Sequence, residues 1–544
     1  MPNLEAGEGR TASLMLAHAF CMGLATVFFE TAASALFLTR FPATAIPIVY
    51  IAAAIVSVMA GLAYSRLERR IAFWPLMTGT LVFLAISVLL FRVAISFTGA
   101  AIVVFALFVW YRLLSILTDV EYWAVATRLY DIRQAKRLFG FIGSGEVTAR
   151  MAGAFAIPLL VRFMGTNNLI VLSAISLFAC LLLLTAVKAG TPIEKKTADR
   201  GPRTEDGRRV WADPYVRSII AVAALGILGK HFVDFSFLQQ IQNHHHDANQ
   251  LAVFFGIFSG VTQALNLVIR LTISGRYLQR FGIAAGLQTL PAVHLLCTAA
   301  LIVVAFAYPG AAALFWLVIA NQGIYKTLKH PIDNPSIKVL YQPLRRDTRL
   351  AVQVINEVIA TPLAIGVAGG VMLLFTRVVG FDLRVFSVIM LVTFILWIAA
   401  SRVAWRRYVI ALRDALQRRH VDVDVLDALD EASLGALREH VTSSHPEEAI
   451  YALTLLERIG DGDIGTMLVD ATRHPSPTVR SYAATRTKDS ERLREMIASD
   501  EQPVADAALI ALRGTPEAAA MLSSSIAEVR DATRRALVES DDTA

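Results

Sequence analysis

Charged residues and cysteines are both scarce in this chain of 544 residues. Only 17% of the residues are charged and 56% are hydrophobic, whereas soluble domains contain about 25% charged residues. This composition excludes an ordinary soluble enzyme and a disordered protein. The three cysteines lie in apolar runs without any paired spacing, so they indicate neither a zinc site nor a disulfide framework. We therefore expect no metal and no cofactor. The cysteines are Cys21, Cys180 and Cys297.

Acidic residues are scarce in the larger part of the chain, although the net charge of +7 conceals this. Residues 406–544 contain 17 Lys and Arg and 25 Asp and Glu, a net charge of −8. Residues 1–405 contain 34 basic and 19 acidic residues, a net charge of +15. A nucleic-acid-binding protein needs a basic soluble face. Because the soluble part is acidic, we expect no nucleic-acid partner.

Long apolar runs dominate the basic part of the chain. Each has the length of roughly 20 residues that a membrane-spanning helix needs. A helix satisfies all its backbone hydrogen bonds within lipid, so the runs predict membrane helices. The N-terminus, MPNLEAGEGRT, is polar, and the first apolar run is too long for a signal peptide. The twelve runs are about 12–38, 45–65, 72–98, 100–127, 141–162, 168–188, 215–240, 250–274, 284–307, 310–329, 350–376 and 382–404.

Basic residues between the runs predict the orientation in the membrane. The loops after odd-numbered runs, such as FPATA and SFTGA, are poor in Lys and Arg. The loops after even-numbered runs are basic, and basic loops lie on the cytoplasmic side. Both termini are therefore predicted to be cytoplasmic. The basic residues are Arg66, Arg69, Arg70, Arg128, Arg133, Lys136, Arg137, Lys195, Lys196, Arg200, Arg203, Arg208, Arg209, Arg276, Arg280, Arg345, Arg346, Arg349, Arg406 and Arg407.

The order of the runs predicts four parts. A six-helix transmembrane bundle (1–189), a cytoplasmic linker (190–214) and a second six-helix bundle (215–405) form a 6+6 arrangement, as in major-facilitator-type transporters. A helical domain (406–544) follows. We thus expect an all-α membrane protein.

The acidic tail carries a repeat. Val479, Val504 and Val529 follow short polar turns at steps of 25 residues, and Ala449 begins a looser copy. Each unit predicts two short helices. Such pairs bury their apolar faces by stacking, as in a HEAT-like α-solenoid. We expect the tail to bind a cytoplasmic protein partner rather than to catalyse a reaction.

Two segments resemble the nucleotide (ATP/ADP) transporter family, and more closely its free-living bacterial relatives with HEAT-like C-terminal domains. These are DIRQAKRLFGFIGSGE (131–146) and KHPIDNPSIKVLYQPL (329–344). HFVDFSFLQQIQ (231–242) and the region after residue 250 extend the likeness. The family's pattern is roughly K-x4-[DN]-P-[ST]-x5-Y-x-P-L. The matching residues, with one residue fewer before the tyrosine, are Lys329, Asn334, Pro335, Ser336, Tyr341, Pro343 and Leu344.

The resemblance implies a bacterial inner-membrane transporter of the major-facilitator type that carries a nucleotide-like or phosphorylated solute. Nucleotide exchangers have a Lys-Gly-Lys cluster where this chain has Ala351-Val352-Gln353. The resemblance therefore supports the fold more strongly than the substrate.

Ionisable side chains inside membrane helices are costly and usually functional. Some also have structural interpretations: Lys230 and Asp234 can form an ion pair at i, i+4, and Arg270 can pair with Glu357. Lys326 and Lys329 lie on one helix face without an acid between them, which favours an anion or a snorkelling position. The candidate substrate ligands are Arg112, Lys230, Lys326, Lys329, Asn334 and Gln239. The candidate coupling or gating residues are Glu30, Asp119, Glu121, Asp234, Arg270 and Glu357.

No ATP-hydrolysis motif is present, so we predict a secondary-active transporter of an anionic solute rather than an enzyme. It would work by alternating access, with exchange or proton coupling, in contact with membrane lipid. Two alternatives stay open: a membrane sensor or scaffold that recruits a partner through the tail, and a lipid transporter of the same fold. Transport that survives removal of residues 406–544 would argue against the scaffold.

Overall fold

The computed structural model describes residues 8–98, 100–130, 132–189, 211, 213–378, 380–417, 431–443, 445–499 and 501–512. These described residues form helices and contain no strand. The prediction of an all-α membrane protein is confirmed. Most of the predicted linker and the repeat unit at Val529 lie outside the described residues.

Helices α1 to α6 form the first half of the membrane region. Short polar or glycine-containing connections separate most of them. The bounds are α1 Glu8–Arg40, α2 Ile46–Glu68, α3 Phe73–Thr98, α4 Ala101–Leu129, α5 Ile132–Met164 and α6 Leu169–Ala189.

Helices α7 to α14 form the second half. Two five- to six-residue π-helical turns interrupt it, Lys329–Asp333 and Ile355–Ala360. The bounds are α7 Pro214–His244, α8 Ala248–Thr272, α9 Ser274–Ala307, α10 Ala312–Leu328, α11 Asn334–Val339, α12 Arg346–Val354, α13 Thr361–Val378 and α14 Leu383–Gln417.

Eleven helical segments of the described chain are long and apolar enough to cross a membrane. They correspond to eleven of the twelve predicted runs. The tenth run forms α10, which is only 17 residues long. The π-turn that ends it contains Pro331, which has no backbone N–H and whose ring collides with the carbonyl one turn earlier. A wider turn relieves this collision, and the chain continues as α11.

Large apolar side chains of these helices point away from the protein interior. Phe97 is 85% exposed, Leu271 76% and Ile102 70%. A soluble protein buries such residues, whereas a membrane protein presents them to lipid. The membrane is thus part of the environment that stabilises this fold.

Helix α1 crosses α5 at very close range. A Cβ atom at Gly23 would lie 2.6 Å from the carbonyl oxygen of Glu146, and one at Gly145 would overlap the carbonyl oxygen of Leu16. Small residues allow membrane helices to approach in this way. Gly145, in the sequence GSGE, is therefore a packing position of α5.

The two halves meet along α5 with α8 and along α2 with α13. Glycines again permit the contact. A Cβ at Gly256 would lie 2.8 Å from the Cβ of Ile157, and one at Gly369 would lie 2.7 Å from the carbonyl oxygen of Pro47. These pairs place the faces of α1, α4, α7 and α10 around a shared interior.

The chain divides into two compact units, residues 1–338 with 347–404, and residues 339–346 with 405–544. In the second unit short helices follow one another. Ala449, Val479 and Val504, the repeat positions, are all fully buried. Within this second unit, Tyr482 links two successive repeats. Its hydroxyl lies 2.7 Å from Thr454 Oγ1 and donates to Glu457 Oε2 at 3.0 Å. The helices are α15 Glu431–His440, α16 Pro446–Ile459, α17 Ile464–Ala471, α18 Pro477–Ala484, α19 Ser490–Ser499 and α20 Gln502–Ala511.

Candidate functional site

A cavity of about 290 Å³ lies between the two halves of the membrane region. Its lining comes from α1, α2, α4 and α5 of the first half and from α7, α8, α10 and α13 of the second. This volume is near the lower end of the range for small-molecule sites. The cavity is therefore suited to a compact solute in contact with both halves.

The cavity brings together half of the residues that the sequence singled out. Five cationic side chains and two carboxylates line it, so the lining carries an excess of positive charge. One of the cations, Arg150 on α5, was missed by the sequence analysis, although it too is an ionisable residue inside an apolar run. The predicted residues at the cavity are Glu30, Arg112, Lys230, Asp234, Lys326 and Lys329.

Glu30 lies between cations of both halves. Its carboxylate is 3.9 Å from Arg150 Nη1 on α5 and 3.9 Å from Lys326 Nζ on α10. Arg150 also donates from Nε to Glu146 Oε1 at 2.8 Å. Glu30 is thus shared loosely by two cations, whereas Glu146 holds Arg150 firmly. Any movement of the halves changes the distance from Glu30 to Lys326.

Arg112 and Lys230 form no ion pair or hydrogen bond through their side chains within the described part of the chain, and the buried Nε of Arg112 has no acceptor. The expected ion pair between Lys230 and Asp234 is absent there, because Asp234 accepts a hydrogen bond from Gln322 Nε2 on α10. Lys230 and Arg112 are within electrostatic range of each other. Asp234 and Glu30 are also within electrostatic range of Lys230, but neither Arg112 nor Lys230 forms a direct ion pair among the described residues.

Lys326 at the end of α10 and Lys329 in the following π-turn each have an acidic neighbour, which their sequence did not suggest. Lys329 forms an ion pair with Asp333, whose side chain is only 1% exposed. Lys326 has Glu30 as its neighbour and also lies 5.6 Å from the centre of the Phe258 ring. The expectation of two lysines without an acid was wrong because the π-turn brings Asp333 next to Lys329.

Aromatic and amide side chains complete the lining. Tyr50 packs edge-on against His231, with 4.7 Å between ring centres. Such groups provide flat surfaces and hydrogen-bond partners but no net charge. The sequence analysis missed them because tyrosines and glutamines in apolar runs are common. They are Tyr50, Tyr111, His231, Gln263, Gln322 and Tyr325.

Six predicted residues lie away from the cavity lining. Gln239 donates to Asn243 on its own helix, and Asn334 contacts His330. Asp119 lies on α4 within electrostatic range of Glu146 and Arg150. Arg270 and Glu357 are exposed, and neither forms an ion pair with the other among the described residues. Glu121 is fully buried and contacts His18 at 3.0 Å.

Hydrogen bonds join the two halves at the end predicted to be external. Gln242 on α7 donates to the carbonyl oxygens of Leu38 at 2.6 Å and Phe41 at 2.7 Å, and accepts from Ala43 N at 2.6 Å. Nearby, Thr166 Oγ1 lies 2.8 Å from Asn249 Oδ1. One glutamine thus uses its amide fully to hold the corner after α1.

Replacing Gln242 by alanine is expected to open this end of the protein. Each hydrogen bond contributes about 0.5–1.5 kcal/mol, so the loss of three should shift the populations about tenfold or more. Spin labels at Thr98 and Gln250, with the native cysteines replaced, report the distance between the halves.

The matched control is Gln239→Ala, because among the described residues the Gln239 side chain bonds only to Asn243 of its own helix. Longer distances in Gln242→Ala alone support the clamp. Identical distributions in the two variants contradict it.

Comparisons with known proteins identify the architecture. The structure is similar to a bacterial homologue of the iron transporter ferroportin in an inward-facing state (TM-score 0.56, 11% identity, 73% of this chain and 98% of that chain). It is also similar to the POT family transporter PepTSo (0.53, 11%, 75% and 98%). A third neighbour is the nucleoside transporter NupG (0.50, 14%, 73% and 98%).

No protein-family model and no curated protein matches the sequence. The structural likenesses lie far below the identity at which substrates are shared, so they concern the fold and not the solute. Each neighbour is covered almost completely, and the matched region of this chain is about as long as its membrane part. The chain is thus an all-helical, multi-pass membrane protein with the major-facilitator transporter fold.

Proposed function

We propose that this protein is a secondary-active transporter that carries a small organic anion by alternating access. The observation that carries the proposal is the pair Arg112 and Lys230, two cavity cations from opposite halves that form no direct ion pair with a carboxylate among the described residues. Uncompensated charges away from bulk water are costly. A bound anion would relieve this cost and would bridge the halves at the same time.

The anion supplies the energetic link between binding and movement. A ligand shifts a conformational equilibrium only by its differential affinity for the two states. An anion held by Arg112 on α4 and Lys230 on α7 binds best when the halves are at one particular distance. The same movement of the halves changes the distance between Glu30 and Lys326. Gradients of solutes or protons would drive the cycle.

The proposed substrate class is a phosphorylated or nucleotide-like solute. The neighbours include proteins named as a nucleoside transporter, a homologue of an iron transporter and a metal transporter, so the fold selects no substrate by itself. The arginine fork suits phosphate or carboxylate, and the aromatic and amide lining suits a planar polar group. The resemblance of segments 131–146 and 329–344 to nucleotide transporters favours the same class. We propose Arg112, Lys230, Lys326 and Lys329 as substrate ligands.

Uptake into proteoliposomes tests the proposal. The purified full-length protein is reconstituted, and accumulation of labelled ADP and of a labelled sugar phosphate is followed with and without internal anion and with a pH gradient. We expect uptake well above protein-free liposomes. The matched variant is Arg270→Gln, which removes an exposed cation outside the cavity and should transport normally. The absence of uptake and exchange for every anion would refute the proposal.

We further propose that residues 406–544 form a HEAT-like docking module for a cytoplasmic protein partner. Buried repeat positions at Ala449, Val479 and Val504 and the helix pairs α16–α17 and α18–α19 support it. The basic loops favour a bacterial inner-membrane protein with both termini on the cytoplasmic side. On that side such a module can meet soluble protein partners.

A further inference from the structure

A second group of ionisable side chains lies in the first half, outside the cavity lining. His18 Nε2 on α1 is 3.0 Å from Glu121 Oε2 on α4. The two side chains are 2% and 0% exposed. Tyr122 stacks on the imidazole with 5.9 Å between ring centres. Neither partner lines the cavity, so a direct contact with the solute does not explain them.

Apolar side chains lie next to the pair. Tyr122, which stacks on His18, belongs to a buried cluster with Met15, Met22, Met77 and Leu184 of α1, α3 and α6. Burying a carboxylate in such a place without a compensating charge or proton costs several kcal/mol, roughly the full desolvation penalty. The position is therefore expensive for a purely structural contact.

The titratable groups around the pair can be named element by element. Helix α1 adds Cys21, and Cys180 of α6 donates its thiol to the carbonyl oxygen of His18 at 3.6 Å. Helix α3 contributes apolar side chains to the cluster. Tyr64 of α2 and Tyr122 of α4 are within electrostatic range of Glu121; Glu68 neighbours Tyr64, and Tyr130 and Glu146 neighbour Tyr122. None of these described neighbours is a lysine or an arginine, so a proton is the compensating charge at hand.

Three buried polar atoms at the site have no hydrogen-bond partner within the described chain: His18 Nδ1, Glu121 Oε1 and Tyr122 Oη. Unsatisfied buried atoms of this kind usually mark a functional group or a bound water. Two of them belong to the imidazole and the carboxylate that contact each other, and the third belongs to the tyrosine that stacks on the imidazole. They are the positions through which water would exchange a proton with the pair.

We propose that His18 and Glu121 form a proton-binding site, distinct from the solute cavity, that holds one proton while the cluster is closed. With one proton the pair is neutral overall, either as imidazolium and carboxylate or as imidazole and carboxylic acid. Loss of that proton leaves a net negative charge among methionines and leucines. The proton is therefore released only when the packing of α1, α4 and α6 opens and admits water.

The site is connected to the cavity through its own helices. Helix α1 also carries Glu30, and α4 also carries Arg112. Opening the cluster changes the relation of α1 to α4, which moves these two cavity residues relative to each other. This coupling rests on the proposed transport function, whereas the proton site itself does not.

The experiment measures proton binding and conformation without any solute, so its failure is distinguishable from a failure of uptake. The full-length protein in nanodiscs, spin-labelled at Thr98 and Gln250, is titrated between about pH 5 and pH 9, where histidine sites commonly change charge. Protons released over the same range are counted with a pH dye. We expect acid pH to favour the closed arrangement and alkaline pH to shift the distance distribution.

Glu121→Gln is the test variant because it keeps the volume and a hydrogen bond to His18 but cannot share a proton. It should release about one proton fewer per molecule and lose the pH dependence of the distances. His294→Asn is the matched control, because His294 is also 1% exposed but bonds to the neutral Asn321 at 2.6 Å. It should behave like the unmodified protein.

Three results would overturn the proposal. The first is a distance distribution of the unmodified protein that does not change with pH, which needs no variant. The second is an equal proton count in Glu121→Gln and the unmodified protein. The third is the same loss of pH dependence in His294→Asn, which would assign the effect to general damage.

Discussion

Lys230→Gln is expected to weaken binding of a small organic anion by about 10- to 100-fold and, in the empty protein, to raise the melting temperature. A hydrogen bond between charged groups contributes about 1.5–3 kcal/mol, which gives the range of affinities. The opposite effect on the empty protein has a separate cause. Lys230 has no carboxylate partner within the described chain, so removing its charge removes a cost that only the ligand compensates.

Arg112→Gln is also expected to weaken anion binding and to raise the melting temperature of the empty protein. The two changes should not be additive, because both cations contact one ligand. Binding is measured as the rise in melting temperature that ADP or a sugar phosphate produces, since a ligand that binds only the folded state stabilises it by mass action. Uptake into proteoliposomes gives the second measurement.

Arg270→Gln and Lys329→Gln distinguish cavity cations that bind an anion from cations that have a structural role. Arg270 is exposed and outside the cavity, so its variant should leave both measurements unchanged. Lys329 is paired with Asp333, so its variant leaves a buried carboxylate without a partner and should destabilise the empty protein. If Lys230→Gln also lowers the melting temperature of the empty protein, the cavity cations are structural and the anion site is wrong.

The membrane architecture could be predicted from the sequence because lipid allows so few solutions. Apolar runs must form helices, and eleven of the twelve do so at lengths that cross a membrane. The exception is the tenth, whose helix α10 is only 17 residues long and ends in the π-turn that contains Pro331. Hydropathy averages over such a position, whereas the backbone responds to a single missing N–H.

The cavity could be predicted only in part. An ionisable residue within a membrane helix is visible in the sequence, and this signal found Glu30, Arg112 and Lys230. Its partner is not visible, because pairing depends on how helices pack. His18 and Glu121 are 103 residues apart, and no local pattern connects them. The reverse case is Lys230 and Asp234. They lie four residues apart on one helix and were expected to pair, but Asp234 accepts a hydrogen bond from Gln322 of another helix.

Gly145→Ala is expected to lower the melting temperature by several degrees. Gly145 lies where α1 and α5 cross closely, and such crossings determine whether the cavity residues meet. A Cβ at Gly145 would overlap the carbonyl oxygen of Leu16 and would lie 3.2 Å from Phe20 N. Backbone atoms of a helix cannot move individually, so α1 and α5 must separate. Overpacking of this kind costs about 1–3 kcal/mol, and sometimes more.

Gly140→Ala is the matched control on the same helix. A Cβ at Gly140 would meet no atom within 4 Å. In a helix interior alanine is favoured over glycine by about 1 kcal/mol, so this variant should keep or raise the melting temperature. The same substitution is therefore expected to lower the melting temperature at Gly145 and to keep or raise it at Gly140, five residues away. Equal melting temperatures of the two variants would contradict the close crossing.

The crossing also links stability to the cavity, because α1 carries Glu30 and α5 carries Arg150. Their charged atoms are 3.9 Å apart, and separating the helices lengthens this distance. Gly145→Ala should therefore reduce anion uptake more than its loss of folded protein explains, and uptake per folded molecule measures the difference. Normal uptake per folded molecule would show that the position of Glu30 relative to Arg150 does not matter for transport.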